Sequence, residues 1–340
     1  MSSNDKIHRI KIGVDFGASK IISGIVVKDK VTSLKRIPTP RNGNKEEIIK
    51  KISEAINSSM KDSNISIDSI YSIGIGIPGS IDHERQLCML LPNVPGDWMG
   101  FPLGKKIEQI FNTPTFIMND VGAITLGEVK YGAGTGCRNI VLVAIGTGIG
   151  GGLYLDGKLY LGSDGAAGEI GHIIVDKNGP LCGCGAFGCL EAFSSGNAIT
   201  SKIFRLIKQG VNTDMTKFIE EDSYNKLNPS IAFKAASCCD YYANWILEST
   251  ADDLSVVISN LITLLNPDKV IITGGVLKDG EEFINKIKIK TKDRVKMLNR
   301  IVIERGKLGD NAGILGAALW GEIMRGDKVK GRQNVIKEFR

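Results

Sequence analysis

The sequence predicts an α/β protein made of two related halves, and three observations carry that expectation. Its 340 residues are about twice the ~150 that one domain commonly uses. A strand, a glycine-rich turn and a returning strand occur at 9–27 and again at 139–155. Apolar runs suited to buried strands alternate elsewhere with stretches of helical periodicity. A hydrophobic content of 42% with 24% charged residues is that of an ordinary folded chain, which excludes disorder or a coiled coil as the whole structure.

In the first half, Ile10, Ile12 and Val14 alternate with residues of the other face. Asp15-Phe16-Gly17-Ala18-Ser19-Lys20 makes the turn, and Ile21 to Val27 return as a strand. A helix at 45–60, a strand at 71–77, a strand at 112–118 and a helix at 122–131 are expected next. The second half restarts with a strand at 139–145, a turn at 146–151 and a strand at 152–155. Leu254, Val257, Ile258, Leu261, Ile262 and Leu265 form a helical stripe that Asn266-Pro267 stops. A short buried strand at 270–272 then enters Gly274-Gly275. The polar stretch 210–230 reads as an insertion between helices.

The net charge of +6 arises from 43 basic and 37 acidic side chains. Six of the basic ones lie between Arg325 and Arg340, against Asp327 and Glu338, so the surplus reads as a solvated C-terminal helix or end rather than a nucleic-acid arm. Residues 1–9 lack the apolar centre of a secretion signal, and the longest uncharged run, 139–155, is glycine-studded and shorter than the ~20 residues of a membrane span. Neither a membrane nor a nucleic acid is an expected partner. Seven cysteines, an odd number with three inside 182–189, fit a reducing, cytoplasmic setting.

Gly74-Ile75-Gly76-Ile77-Pro78-Gly79 matches G-x-G-x-x-G formally, but no helix start follows it, which argues against dinucleotide binding. Asp15 beside its glycine turn reads either as a common hairpin or as a carboxylate that holds a metal–phosphate complex through water. The second turn, Gly146-Thr147-Gly148, favours the latter, because two such turns can hold a triphosphate. Asn119-Asp120 offers a proton acceptor for an alcohol, or a helix N-cap. His172, Cys182, Cys184 and Cys189 match a closed Cys₃His zinc site, with unliganded thiols the alternative. Glu169 and Glu191 flank that loop and can accept hydrogen bonds from sugar hydroxyls or simply face solvent.

Taken together, these residues resemble the ROK (repressor, open reading frame, kinase) sugar kinases of the actin-like ATPase superfamily over nearly the whole chain. The most specific piece is Gly168-Glu169-Ile170-Gly171-His172 followed by Cys182-Gly-Cys184-Gly-Ala-Phe-Gly-Cys189-Leu-Glu191. Gly165-Ala166-Ala167, the turn at 146–151, Asn119-Asp120 and Leu126-Gly127-Glu128 are similar to the bacterial glucokinase branch. The resemblance implies a two-lobed, ribonuclease H-like α/β fold with an interdomain active-site cleft. It implies a smaller lobe of 1–119 completed by a C-terminal helix at 311–340, and a larger lobe of 120–310 with the zinc loop.

Asp120 is then implied as catalytic base, with Gly79, Asn93, Asn119, Glu169, His172 and Glu191 as sugar contacts. Asp15, Gly17, Ala18, Ser19 and Lys20 match the first phosphate loop, Gly146, Thr147 and Gly148 the second, and Gly274-Gly275 the adenosine motif. ATP, Mg²⁺ and a structural Zn²⁺ are the implied cofactors. A homodimer, or a dimer of dimers, is the implied assembly. Ala18-Ser19 replaces a common Gly-Thr pair, Gly122 a frequent Asn and Thr273 a frequent Gly. The implied reaction is phosphorylation of a hexose, foremost glucose, at its 6-hydroxyl. The alternatives are an N-acetylmannosamine or N-acetylglucosamine kinase and a sugar-responsive repressor, for whose DNA-reading module the fourteen residues before Asp15 leave no room.

Overall fold

Ile10–Phe16 (β1), Lys20–Val27 (β2) and Lys30–Pro38 (β3) fold as consecutive antiparallel strands, as their β-branched runs suit. The computed structural model describes residues 9–92, 94–219, 227–277, 280–297, 300 and 302–329. Helix Lys45–Ser63 (α1) starts where the Asn44 side chain accepts the Glu47 N–H, carries Glu46 and Glu47 at its positive end, and stops at left-handed Asn64. It buries Ile48, Ile52, Ala55 and Ile56 on one face, the three-to-four spacing of an amphipathic helix.

Ile70–Ile77 (β4) pairs in parallel with β1, and Ser80–Asp82 (β5) with Leu87–Leu90 (β6) makes a small hairpin. Leu103–Phe111 (α2) ends at left-handed Asn112, so the strand expected from 112 begins only at Thr115 (Thr115–Asn119, β7). Asp120–Tyr131 (α3) follows at once, two residues earlier than expected, because Asn119 caps it. The sheet order is β3-β2-β1-β4-β7.

Ile140–Ile145 (β8), Ile149–Leu155 (β9) and Lys158–Tyr160 (β10) restart the pattern. The turn between β8 and β9 is shorter than expected, since β9 begins at Ile149. After the helices Leu190–Ser194 (α4), Gly196–Lys208 (α5), Ser230–Ser237 (α6) and Tyr241–Leu265 (α7) come Lys269–Thr273 (β11), Glu281–Arg294 (α8), Ile303–Arg305 (β12) and Asn311–Val329 (α9). The second sheet is ordered β10-β9-β8-β11-β12, position for position the order of the first. The repeat legible at the two turns is thus a repeat of topology, and the fold is the mixed α/β fold of the actin-like class.

The chain divides into two compact units, 1–138 with 153–167 and 307–340, and 139–152 with 168–306. The first contains α3 and α9. Helix α3 packs on α9 through small residues: a methyl at Gly127 would overlap the Ala312 carbonyl, and one at Gly316 that of Ala123. Helix α9 lies equally close on the sheet, where a methyl at Gly13 would overlap the Ile314 carbonyl and one at Gly74 that of Ala317. Gly74 and Gly76 therefore belong to a buried strand, in keeping with the rejected dinucleotide reading. Buried Glu128 accepts the N–H groups of Ala133, Lys307 and Leu308 at 2.8, 3.1 and 2.9 Å, which fixes the approach to α9.

In the second unit α7 is the central helix, twice as long as its apolar stripe suggested. Asp240 starts it by accepting the Ala243 N–H at 2.7 Å, and left-handed Asn266 ends it. Of the 210–230 stretch, Asp214–Phe218 is a short 3₁₀ turn, and 220–226 lie outside the described residues. The expected C-terminal helix is seen to Val329; 330–340, with most of the basic tail, lie outside them too. Among the described residues, no helix is long and apolar enough to cross a membrane.

Candidate active site

In the first unit, the β1–β2 turn closes with the Gly17 N–H donating to the Lys20 carbonyl at 2.9 Å. Thr39, which sequence reasoning missed, clamps this turn. Its hydroxyl donates to the Gly17 carbonyl at 2.7 Å and its N–H to that of Ser19 at 3.1 Å. Asp15 keeps some contact with solvent, yet protein surrounds its carboxyl on most sides. Burial, partly offset by Lys20 and reinforced by Asp310, pushes its pKa up to about 6. Gly313 in the first turn of α9 lies against that carboxyl, a Cβ there falling 3.1 Å from Asp15 Cγ.

Lys20 Nζ donates to Asp310 Oδ1 and Arg36 to Asp310 Oδ2, both at 2.8 Å. The Lys20 hydrogen bond is the main reason that the Asp310 carboxyl sits below the usual range. Asp310 also escaped the sequence reading, since Gly309-Asp310-Asn311 looks like an ordinary helix start.

Also in this unit, Asn119 works in two directions. Its Oδ1 accepts the Gly122 N–H, and its Nδ2 donates to the Gly79 carbonyl, each at 2.9 Å. The N-cap role and the proximity to Gly79 are therefore both present. Asp120 opens α3, half-buried, with Oδ1 accepting the Val121 N–H at 2.8 Å. The first turn of a helix is a favourable place for an anionic side chain. Asn93 lies outside the described residues.

In the second unit, the β8–β9 turn closes through the Gly146 N–H to the Gly148 carbonyl at 2.9 Å. It is held by the segment that runs from α4 into α5. The Gly196 N–H donates to the Gly146 carbonyl at 2.9 Å, the Asn197 N–H to that of Thr147 at 3.2 Å, and Glu191 Oε2 accepts the Ile149 N–H at 2.8 Å. Gly274 follows β11 and packs on the backbone of Ile145 at the end of β8, with Gly275 opening a 3₁₀ turn. Glu169 is exposed and precedes the 3₁₀ turn Ile170–His172.

The metal-type donors converge because the loop folds back twice. The Cys182 N–H bonds the Ala186 carbonyl at 2.8 Å, the Gly188 N–H that of Pro180 at 2.8 Å, and the Val175 N–H that of Gly188 at 2.9 Å. One ligand atom each from His172, Cys182, Cys184 and Cys189 then lies within 4.8 Å of all the others. Two of the edges, Cys184 Sγ to Cys189 Sγ and Cys182 Sγ to His172 Nδ1, are 3.7 Å. A tetrahedron with Zn–S bonds of ~2.3 Å has edges of about 3.7 Å, so the donor set fits that ion. Burial, and then the neighbouring thiols, push the Cys189 thiol up to about 12, and a cation among the donors is what would keep such a cluster as thiolates. Cys88 is buried, while Cys238 and Cys239 are exposed, as ordinary thiols.

Residues 11–322 match the ROK family model. The chain is 35% identical to a glucokinase of Thermotoga maritima over 312 residues, covering 90% of this chain and 95% of that protein. It is 31% identical to the xylose repressor of Caldicellulosiruptor bescii, covering 90% of this chain and 76% of the repressor. Among solved structures, a ROK family glucokinase of Streptomyces griseus, crystallised with glucose and AMPPNP, superposes with a TM-score of 0.82 at 29% identity. The match covers 92% of this chain and 99% of that one.

Proposed function

This chain belongs to the ROK family, and from that premise we propose that it is an ATP-dependent sugar kinase that phosphorylates a hexose at its 6-hydroxyl, glucose foremost. The observation that carries the reading is Asp120, half-buried at the first position of α3, directly after an Asn119 whose side chain is fixed on both sides. A half-buried carboxylate at a helix start stays anionic and is suited to accepting the proton of an incoming alcohol.

In the proposed reaction the sugar 6-oxygen attacks the γ-phosphorus of ATP and passes its proton to Asp120. The bond from that phosphorus to the β–γ bridging oxygen breaks, and ADP leaves with the electron pair. Phosphoryl transfer of this kind depends on alignment and on neutralising charge more than on covalent help from the protein. Mg²⁺ bound to the nucleotide supplies part of that neutralisation. The turns Gly17–Lys20 and Gly146–Gly148 are the proposed phosphate cradles, with Asp15 and Lys20 at the first and Gly274-Gly275 assigned to the adenosine. Asn119, Glu169, His172 and Glu191 are the proposed sugar contacts. His172, Cys182, Cys184 and Cys189 would hold a structural zinc that fixes the loop between them. Thiolate donors and seven unpaired cysteines suit a reducing compartment such as the cytoplasm.

The decisive variant is Asp120→Asn. Folding and ATP affinity are expected to persist while turnover drops at least ~10²-fold, the low end for a positioned base. Near-normal turnover removes Asp120 from the mechanism. ADP release measured over a panel of hexoses and N-acetylhexosamines separates glucose from N-acetylmannosamine as acceptor. The match to a repressor gives a second reading, sugar binding without catalysis, which an absence of ADP release for every sugar would favour.

A further inference from the structure

Gly148 lacks a side chain for a reason that has nothing to do with its backbone. Its φ does not lie in the left-handed region, so an L-residue could adopt the same conformation. The obstacle is the Glu191 carboxylate: a Cβ on Gly148 would overlap Glu191 Oε2, and the atoms nearest to that Cβ all belong to Glu191. The same Oε2 accepts the Ile149 N–H at 2.8 Å. Glu191 thus sits flat against the second glycine turn and takes one of its amide hydrogens.

Two further bonds come from the same stretch of chain, the Gly196 and Asn197 N–H groups to the Gly146 and Thr147 carbonyls. Three connections from 191–197 therefore hold the turn, and of these the one from Glu191 is made by a side chain. Helix α4 directly follows Cys189, its N-cap position, with the Ala192 N–H donating to the Cys189 carbonyl at 3.0 Å, so the piece that grips the turn is joined to a metal-type donor.

We propose that Glu191 is a positioning residue for the second phosphate turn, setting nucleotide affinity through its bond to the Ile149 N–H even when no sugar is present. This inference rests on the kinase reading of the site, and it gives Glu191 a task separate from touching the sugar. A carboxylate bonded to a backbone amide is among the stronger hydrogen bonds, and losing it leaves the turn free to sample other conformations.

The test is calorimetric titration of AMPPNP with Mg²⁺ and no sugar. Glu191→Ala is expected to weaken binding by about tenfold, the factor for one charge-assisted bond. Glu191→Gln keeps a carbonyl that can accept the Ile149 N–H and is expected to stay within about threefold of wild type. Gly148→Ala pushes the carboxylate aside and should weaken binding as Glu191→Ala does. A wild-type protein that binds AMPPNP, with Glu191→Ala and Gly148→Ala binding equally well, overturns the assignment. A wild-type protein that binds no AMPPNP instead defeats the kinase reading and takes this proposal with it.

Discussion

Lys20 and Asp310, 290 residues apart in sequence, are joined by a 2.8 Å hydrogen-bonded ion pair, and the second oxygen of Asp310 is taken by Arg36. The pair ties the first glycine turn to the start of α9. Because both partners are over a third exposed, the pair adds at most about 1 kcal/mol to folding. Its value lies in holding a flexible lysine in one orientation. Asp310→Ala is expected to leave the urea midpoint almost unchanged while raising the KM for ATP severalfold and sparing the KM for sugar. An unaltered KM for ATP would show that Lys20 needs no such restraint.

Asp15 gives a pH signature with a definite sign. Its carboxyl titrates at about 6 in the fold, chiefly because of burial, against 3.8 as the ordinary value. Between these values the unfolded chain releases the proton while the folded one keeps it. The folded state therefore binds more protons, and stability falls as pH rises from about 4 to 6, then levels. Asp15→Asn should remove that fall, which denaturant titrations at several pH values will read. Should ionised Asp15 hold the metal–phosphate complex, wild-type turnover should also rise through pH 6. The variant would then be the more stable protein at pH 7 and the poorer enzyme.

Features set by neighbours in sequence were legible, and features set by distant partners were not. The turn at Asp15–Lys20 and the convergence of Cys182, Cys184 and Cys189 are local, and spacing alone revealed them. The stripe from Leu254 showed half of α7; the other half, from Tyr241, buries Ala243, Ile246, Leu247, Thr250 and Ala251 on the same face, but two alanines and a threonine make that face weakly apolar while the large Tyr241 and Trp245 are exposed. Asn112 looked like the start of a strand because an apolar run follows, but its left-handed conformation ends α2 instead. Gly74 matched a dinucleotide fingerprint only formally, and the backbone of α9 lying against it and against Gly13 gives the reason for both glycines. Asp310 and the contact between Glu191 and Gly148 depend on closing loops whose geometry no local pattern encodes.

Gly74 provides a test of that close packing. A methyl there would overlap the carbonyl carbon and oxygen of Ala317, which are backbone atoms of α9 and cannot rotate away. Gly74→Ala should therefore destabilise the protein by about 3 kcal/mol or more, the upper range for overpacking a core. Gly326, in the same helix, meets nothing within 4 Å, and Gly326→Ala should instead add up to about 1 kcal/mol through helix propensity. Urea unfolding of the two variants checks both signs, and a tolerated Gly74→Ala would mean that α9 does not lie on β4 this closely.

The four-donor loop makes the last prediction. With three sulfur donors and one imidazole nitrogen at tetrahedral spacing, all coordination positions come from the protein, so a bound ion has no open place for water. Its contribution should then be to stability, since an ion that binds the folded loop and not the unfolded chain adds its binding energy to folding. Purified protein is expected to contain stoichiometric zinc by elemental analysis, and a strong chelator should lower Tm by several degrees. Cys189→Ser removes a fully buried donor and should lose the metal together with the chelator response. Cys238→Ser, at an exposed thiol beyond α6, should keep both. The two measurements separate the alternatives: metal retained in Cys189→Ser would place the ion elsewhere. A wild-type protein without metal, and with a Tm indifferent to chelator, would leave the thiols as hydrogen-bonded packing of the loop alone.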